Sequence, residues 1–300
     1  GQLNYLLTLP PYGFYWFLLA EEAQMPAWHV PPVDRMPELP TLVIKRDLTE
    51  LTQSRCSLTL SRESLPAYLA KRRWFSGLAA DAEVQFKLLY AQPFGELSVL
   101  SEVEVRSGDQ VEHYQLPLSY VAENAAGSSV PQQLALARLR RGREVGLLTD
   151  AFTLGEFSRQ VVRYLREGQV LNSAGSELQF LPTPQLLELA DNPDEEITLV
   201  SAEQSNSSAL IGESMVLKLV RRVMPGIHPE TEMGGYLTAQ GFDNIPQLLG
   251  EVRRVDVQGV PHTLMVLQRF LSNQGDAWQW TQNTLERAVR DQLAGPAISD

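Results

Sequence analysis

Lys218 stands in "MVLKLV" (215–220), one cation inside an apolar run. Thirteen residues before it lies Ser205, which opens the small polar stretch Ser205, Asn206, Ser207, Ser208. Fourteen residues after it lies Glu232, with Glu230 two positions earlier. These residue types suit a polyphosphate. Short side chains let backbone N–H groups and hydroxyls come close to phosphate oxygens. A lysine on a strand pairs with phosphate charge, and a carboxylate on the next helix fixes that lysine. Lys218 is therefore the candidate phosphate contact, Glu232 its expected partner and Glu230 the second choice. Taken singly, each signal has an ordinary reading: an edge charge, turn material or a helix-start glutamate. Order and spacing together carry the chemistry.

The elements that must position these residues follow from composition. "ITLVSA" (197–202) is a strand, "EQSNSS" (203–208) a polar loop, "SALIG" (208–212) a second strand and "MVLKLVRR" (215–222) a third. "HPETEMGGYLTAQG" (228–241) is a helix. Pro229 suits its first turn, Glu230 and Glu232 the positive end of its dipole, and Gly241 its end. "PQLLGEVRRVDVQGVPHTLMVLQRFL" (246–271) is a hairpin turning at Gln258-Gly259. It supplies a fourth and fifth strand. Gln268, Arg269, Phe270 and Leu271 would then be a hinge whose backbone meets adenine, followed by the helix "DAWQWTQNTLERAVRDQL" (276–293). This is the element order of a kinase nucleotide lobe.

Residues 41–190 read as a mixed unit. "SLPAYLAKRRWF" (64–75) places Leu65, Tyr68 and Leu69 at helical spacing, with Ser64 as N-cap and Pro66 in the first turn. "EVQFKLLYAQ", "ELSVLSEVEVR" and "QVEHYQLPLSYV" form an antiparallel meander, and "ALARLRRGREVGLLTDAF" (135–152) a hairpin turning at Arg141-Gly142. "LGEFSRQVVRYLREG" (154–168) is a helix with Phe157, Val161, Tyr164 and Leu165 on one face and Gly168 as its cap. No GxSxG, GxGxxG or Walker A motif occurs, so this unit shows no chemistry of its own.

The bulk numbers set bounds. Three hundred residues make about two domains. A net charge of −11 argues against nucleic-acid binding. The basic runs at 71–73 and 138–143 fit solvated faces or a hairpin end. Cys56 is the single cysteine, so no intrachain disulfide forms and a cytoplasmic location is expected. His29, His113, His228 and His262 stand apart, without zinc-ligand spacing. The opening "LTLPPYGFYWF" (7–17) lacks the basic flank of a signal peptide, and its apolar run is too short to span a membrane. It suits a strand whose partners lie upstream. Residues 1–20 are thus expected to be the terminal strand of a truncated β-domain. Residues 21–40, with five prolines, are an extended linker.

Three stretches carry a family resemblance. "EQSNSSALIGESMVLKLVRRVMPGIHPETEM" resembles the nucleotide-binding segment of bacterial maltokinases. "LPAYLAKRRWFSG" resembles the start of their N-terminal cap, although Ser76-Gly77-Leu78 replaces the usual Gly-Lys after Trp-Phe. "LTLPPYGFYWFLL" resembles the last strand of trehalose synthase, often fused upstream of maltokinase. The resemblance implies an α+β chain: an antiparallel-sheet cap over 41–190, then, over 191–300, the N-lobe of an aminoglycoside-phosphotransferase-like fold. It implies ATP and Mg²⁺ as cofactors and maltose as acceptor, giving maltose 1-phosphate for α-glucan synthesis. Ser205 to Ser208, Lys218, Glu232 and Gln268 to Leu271 would bind ATP. The family's "HGD" catalytic loop and later metal-binding Asp have no match, so no catalytic or metal residue is assigned. The chain is expected to be inactive alone, with neither nucleic acid nor membrane as partner. Two other readings stay open: a non-catalytic cap that docks to the synthase, and a kinase-like enzyme for another small molecule.

Overall fold

Alternating apolar residues build two sheets in the computed structural model, which describes residues 39–75, 84–123, 134–173, 175–200, 206–272 and 277–294. The strand expected within 1–20, the linker up to 38 and Ser205 lie outside these residues. The described part is α+β.

The first sheet contains β1 (Thr41–Ile44), β2 (Val84–Pro93), β3 (Ser98–Ser107), β4 (Gln110–Gln115), β5 (Leu118–Ala122), β6 (Ala135–Arg141), β7 (Glu144–Asp150) and the short β13 (Arg222–Val223). Its order is β1-β6-β7-β5-β3-β4-β13, with β2 on the other edge of β3. β1 lies parallel to β6. The β6–β7 hairpin turns where expected, through Gly142 at φ 61°. A glycine takes that angle without steric cost. "QVEHYQLPLSYV", expected as one strand, is two. Pro117 cannot donate to a ladder, so β4 ends at Gln115 and β5 starts at Leu118, which lets β5 pair with β3 on one side and β7 on the other.

One helical stretch covers this sheet: α1 (Ser54–Thr59), a π turn (Leu60–Ser64) and α2 (Leu65–Leu69). It starts ten residues before the expected N-cap. Ser64 is helical and buried, and its side chain caps nothing. Pro66, which has no N–H to give, is the second residue after the wider π turn. Leu51, Leu60, Leu65 and Leu69 close a core against Val103, Val105, Leu118 and Leu139.

The second sheet contains β8 (Val170–Ser173), β9 (Ser176–Pro182), β10 (Ile197–Val200), β11 (Ser207–Ile211), β12 (Met215–Leu219), β14 (Leu248–Val255) and β15 (Pro261–Arg269). Its order is β10-β11-β12-β15-β14-β9-β8, antiparallel throughout. Four helices follow β7 in the described chain: α3 (Gly155–Glu167), α4 (Pro184–Glu188), α5 (Pro229–Ala239) and α6 (Ala277–Ala294). α3 packs on one face. Its Phe157, Val161 and Leu165 meet Leu217, Leu249, Val252 and Leu267 in a second core. Gly168 ends α3 at φ 60°, as the sequence suggests.

The sheets do not divide the chain at 190/191. β9 hydrogen-bonds along β14, from Gly250↔Pro182 to Val255↔Glu177, so everything after Asp150 up to β9 belongs with the second sheet. Phe94, at the end of β2, also buries itself there, stacked on Phe180 at 5.9 Å and edge-on to Tyr164.

Two buried polar junctions stitch the sheets together. In one, Arg254 of β14 reaches Glu102 of β3 (Nε to Oε2, 3.2 Å), and His113 Nδ1 lies 2.7 Å from the same carboxylate. The Glu102 hydrogen bond raises the His113 pKa above its ordinary 6.5, against the burial that lowers it. Burial pushes Glu102 up, but the His113 bond and the Arg254 charge outweigh it and leave the carboxyl below its ordinary 4.5. The other junction centres on Arg221.

Candidate functional site

β12 alternates in the way a half-covered strand must. Met215, Leu217 and Leu219 enter the core under α3, which turns Val216 and Lys218 to the opposite face. In register beside Lys218 lie Ser208 on β11 and Val266 on β15. Val266 joins Val220 and Leu248 in a small apolar cluster. The Ser208 hydroxyl is buried without a hydrogen-bond partner among the described residues. The sheet thus offers one cation and one unpaired hydroxyl next to an apolar floor.

α5 brings the carboxylate. Its N-cap is His228, whose Nδ1 accepts the Glu230 N–H at 3.3 Å. The His228 N–H donates to Thr263 Oγ1 on β15, and Thr263 Oγ1 donates to Glu251 Oε1. Further along, the Leu248 N–H donates to Thr238 Oγ1, and Gly234 and Gly235 face Leu248. A Cβ at Gly235 would stand 3.4 Å from Leu248 Cδ2, in van der Waals contact. These contacts fix the rotation of α5.

That rotation selects Glu230. Its Oε1 lies 3.1 Å from Lys218 Nζ. Glu232, the expected partner, is exposed instead. Two positions along a helix turn a side chain through about 200°, so both carboxylates cannot face one lysine. The Lys218 and Glu230 side chains are 22% and 38% exposed. A pair so open adds at most about 1 kcal/mol to stability, and its value is to aim the ammonium.

Two residues expected in the polar loop lie in a strand instead. Ser207 and Ser208 are the first residues of β11, and only Asn206 stands before them among the described residues. The hinge segment also differs. Gln268 and Arg269 are the last residues of β15, with Gln268 buried. The Arg269 N–H donates to Gln247 O and the Phe270 N–H to Ser214 O. Neither amide is free for an adenine. Leu271 is exposed after the strand's end.

Arg221 was not singled out by sequence reasoning. It is buried, and it crosses from the end of β12 to the first sheet. Its Nη2 meets Asp150 Oδ2 at 2.6 Å, its Nη1 donates to Gln115 O, and its Nε donates to Ser207 Oγ at 2.8 Å. Its own N–H donates to Asn206 Oδ1 at 3.4 Å. Trp74 lies over the guanidinium, 4.5 Å from ring centroid to Cζ. The Tyr68 hydroxyl donates to Asp150 at 3.3 Å; burial, and then the Asp150 charge, push its pKa well up, so it stays a donor. A lone Asp in the apolar run "GLLTDAF" was the available signal: an apolar environment requires a buried cation for it.

Among the described residues, no group of three or more His, Cys, Asp or Glu is placed to hold a metal ion. No helix there is long and apolar enough to cross a membrane.

No family model matches the chain. A glucosamine kinase of Mycolicibacterium smegmatis is 28% identical over 102 residues, which are 34% of this chain and 25% of that protein. Among solved structures, a glucosamine kinase in complex with glucosamine, ADP and inorganic phosphate aligns over 83% of this chain and 46% of its own. Its TM-score is 0.48, at 17% identity. A second crystal of glucosamine kinase aligns over 80% of this chain and 46% of its own, with TM-score 0.47 and 18% identity. The chain therefore spans about a quarter of the curated relative and under half of the solved ones.

Proposed function

We propose that this chain is the cap and nucleotide-binding part of an ATP-dependent sugar kinase. The observation that carries the proposal is the Lys218–Glu230 pair, held at 3.1 Å on the face of an antiparallel sheet that α3 leaves uncovered. An ammonium aimed by a helix carboxylate, beside the unpaired Ser208 hydroxyl, suits the α- and β-phosphates of a nucleotide. Leu210 and Val216, both half-buried, provide an apolar surface for the base. The sequence likeness to a glucosamine kinase supports sugar as the acceptor class.

The acceptor we assign is maltose, giving maltose 1-phosphate, in a polypeptide where a trehalose synthase domain precedes residue 21. The maltokinase-like segment 203–233 and the synthase-like opening stretch support it. The described residues supply no carboxylate cluster for Mg²⁺, and no step is assigned to that ion here. What these residues do is bind and orient. Lys218 draws phosphate charge, Glu230 aims Lys218, and the α5 anchor through Thr263 keeps Glu230 in place. A second acceptor, glucosamine, is favoured by the relative's own specificity.

The test is a phosphorylation assay on the full natural polypeptide that contains this chain, with ATP and either maltose or glucosamine. Maltose 1-phosphate should form, and Lys218→Met should lower turnover about 10²–10³-fold, the usual cost of removing one charge-stabilising donor. Turnover with glucosamine alone transfers the assignment to that sugar. No turnover with either, together with no ADP binding, overturns the proposal.

A further inference from the structure

The end of the strand that carries Lys218 reaches the first sheet through Arg221. Arg221 spends its guanidinium in two directions: Nη1 and Nη2 go to Gln115 O and Asp150 on the first sheet, and Nε goes to Ser207 Oγ, the first residue of β11. Its main-chain N–H goes to Asn206. Asn206 and Ser207 are the described end of the small polar stretch, and Ser208, opposite Lys218, comes next. Every polar group Arg221 offers is therefore shared between Asp150's sheet and the segment that presents Ser208.

As a source of stability such a junction is poor. A buried ion pair gains little over apolar side chains of the same volume, because desolvation offsets its attraction. What a guanidinium does supply is direction, since its N–H groups lie in one rigid plane. Here that plane is fixed on three sides. Trp74 covers its face. Asp150 takes one end, and is itself held by the Phe152 N–H at 3.0 Å and the Tyr68 hydroxyl. Gln115 accepts on the other, and the Gln115 N–H returns to Arg221 O at 2.7 Å. With the guanidinium so clamped, the position of Nε is set by the first sheet, and Nε sets Ser207.

We propose that Asp150 and Arg221 are positioning residues for nucleotide binding: through them the first sheet places Asn206 and Ser207, and hence Ser208, against Lys218. This rests on the nucleotide-site reading above. It gives the first sheet a role in nucleotide affinity.

The experiment uses the full natural polypeptide and its Asp150→Asn variant, which keeps the shape and removes the charge. The readouts are the calorimetric Kd for ADP, the KM for ATP, the KM for sugar and the thermal midpoint. We expect the ADP Kd and ATP KM to rise about tenfold while the sugar KM stays within about twofold, the scale of coupling through a packed network. Arg221→Lys, which keeps the charge but loses the planar fork, should not behave as wild type. A lowered thermal midpoint with unchanged ADP Kd overturns the proposal and makes the junction purely structural. Should Asp150→Asn fail to fold, Trp74→Leu, which removes only the ring over Arg221, is judged by the same readouts. Lys218→Met separates the two ideas. If wild type binds ADP, Lys218→Met weakens it and Asp150→Asn does not, only the positioning role falls. If wild type binds no ADP, the nucleotide site falls first.

Discussion

Lys218 and Arg221 leave the same stretch of chain three positions apart, and each pairs with one carboxylate. Lys218 meets Glu230 with both side chains partly open to solvent. Arg221 meets Asp150 with the two side chains 3% and 2% exposed. Water therefore screens the first pair and leaves it exchangeable, so a phosphate can compete for the ammonium. The second pair has no water to fall back on, so losing either partner leaves a bare charge in an apolar site. One strand end thus carries one charge open to exchange and one locked away from water.

The sharpest way to break this comparison is to remove one charged partner from each pair. Asp150→Ala should destabilise the protein by about 3–5 kcal/mol, the cost of an uncompensated buried guanidinium. Denaturant unfolding measures it. Lys218→Met should change the same midpoint by less than about 1 kcal/mol. Equal losses would mean that the two pairs do the same work. On the ligand side, Glu230→Gln should weaken ADP binding and turnover about tenfold, within the span of a lost charged hydrogen bond. Glu232→Gln should leave both unchanged. An effect at Glu232 alone would restore the pairing that the sequence favours.

The smallest effect belongs to the other inter-sheet junction. His113 has a raised pKa, so its stabilisation is complete below 6.5 and fades as pH rises through the folded value. Glu102 has a lowered pKa, so its stabilisation is complete above 4.5 and fades as pH falls through the folded value. The thermal midpoint should therefore be highest in the mildly acidic window between these limits. Tyr90, Glu104, Arg254 and His262 surround the pair and are left intact in the test. His113→Gln should flatten the alkaline limb, as read by unfolding scans from about pH 5 to pH 8.

What the sequence made legible was local. The turns at Gly142 and Gly259 and the cap at Gly168 all carry positive φ, which the residue type announces. The order of β10, β11, β12, α5, β14 and β15 followed from periodicity, and Lys218 from its apolar neighbours. What stayed hidden was set at a distance. β9 pairs with β14, some seventy residues on, and no local pattern assigns the β8–β9 hairpin to that sheet. Glu230 wins over Glu232 because Thr263 and Leu248 fix the rotation of α5, and both lie on other strands. The helix from Ser54 was masked by Pro66, which normally marks a start and here follows a π turn. Arg221 hid among surface-like arginines because burial, not type, distinguishes it.

β13 is only two residues long, yet it has a consequence for how the chain assembles. Arg222 and Val223 pair with Tyr114 and His113, and the Arg222–Glu112 ion pair closes 110 residues of chain. A pairing so short cannot nucleate itself, and contacts of such sequence separation form late because their loops must close first. The strand that carries Lys218 is placed by its own ladder with β11 and β15, and only its tail waits for β4. A version of the chain begun after β7 would leave Arg222 and Val223 without the strand they pair with.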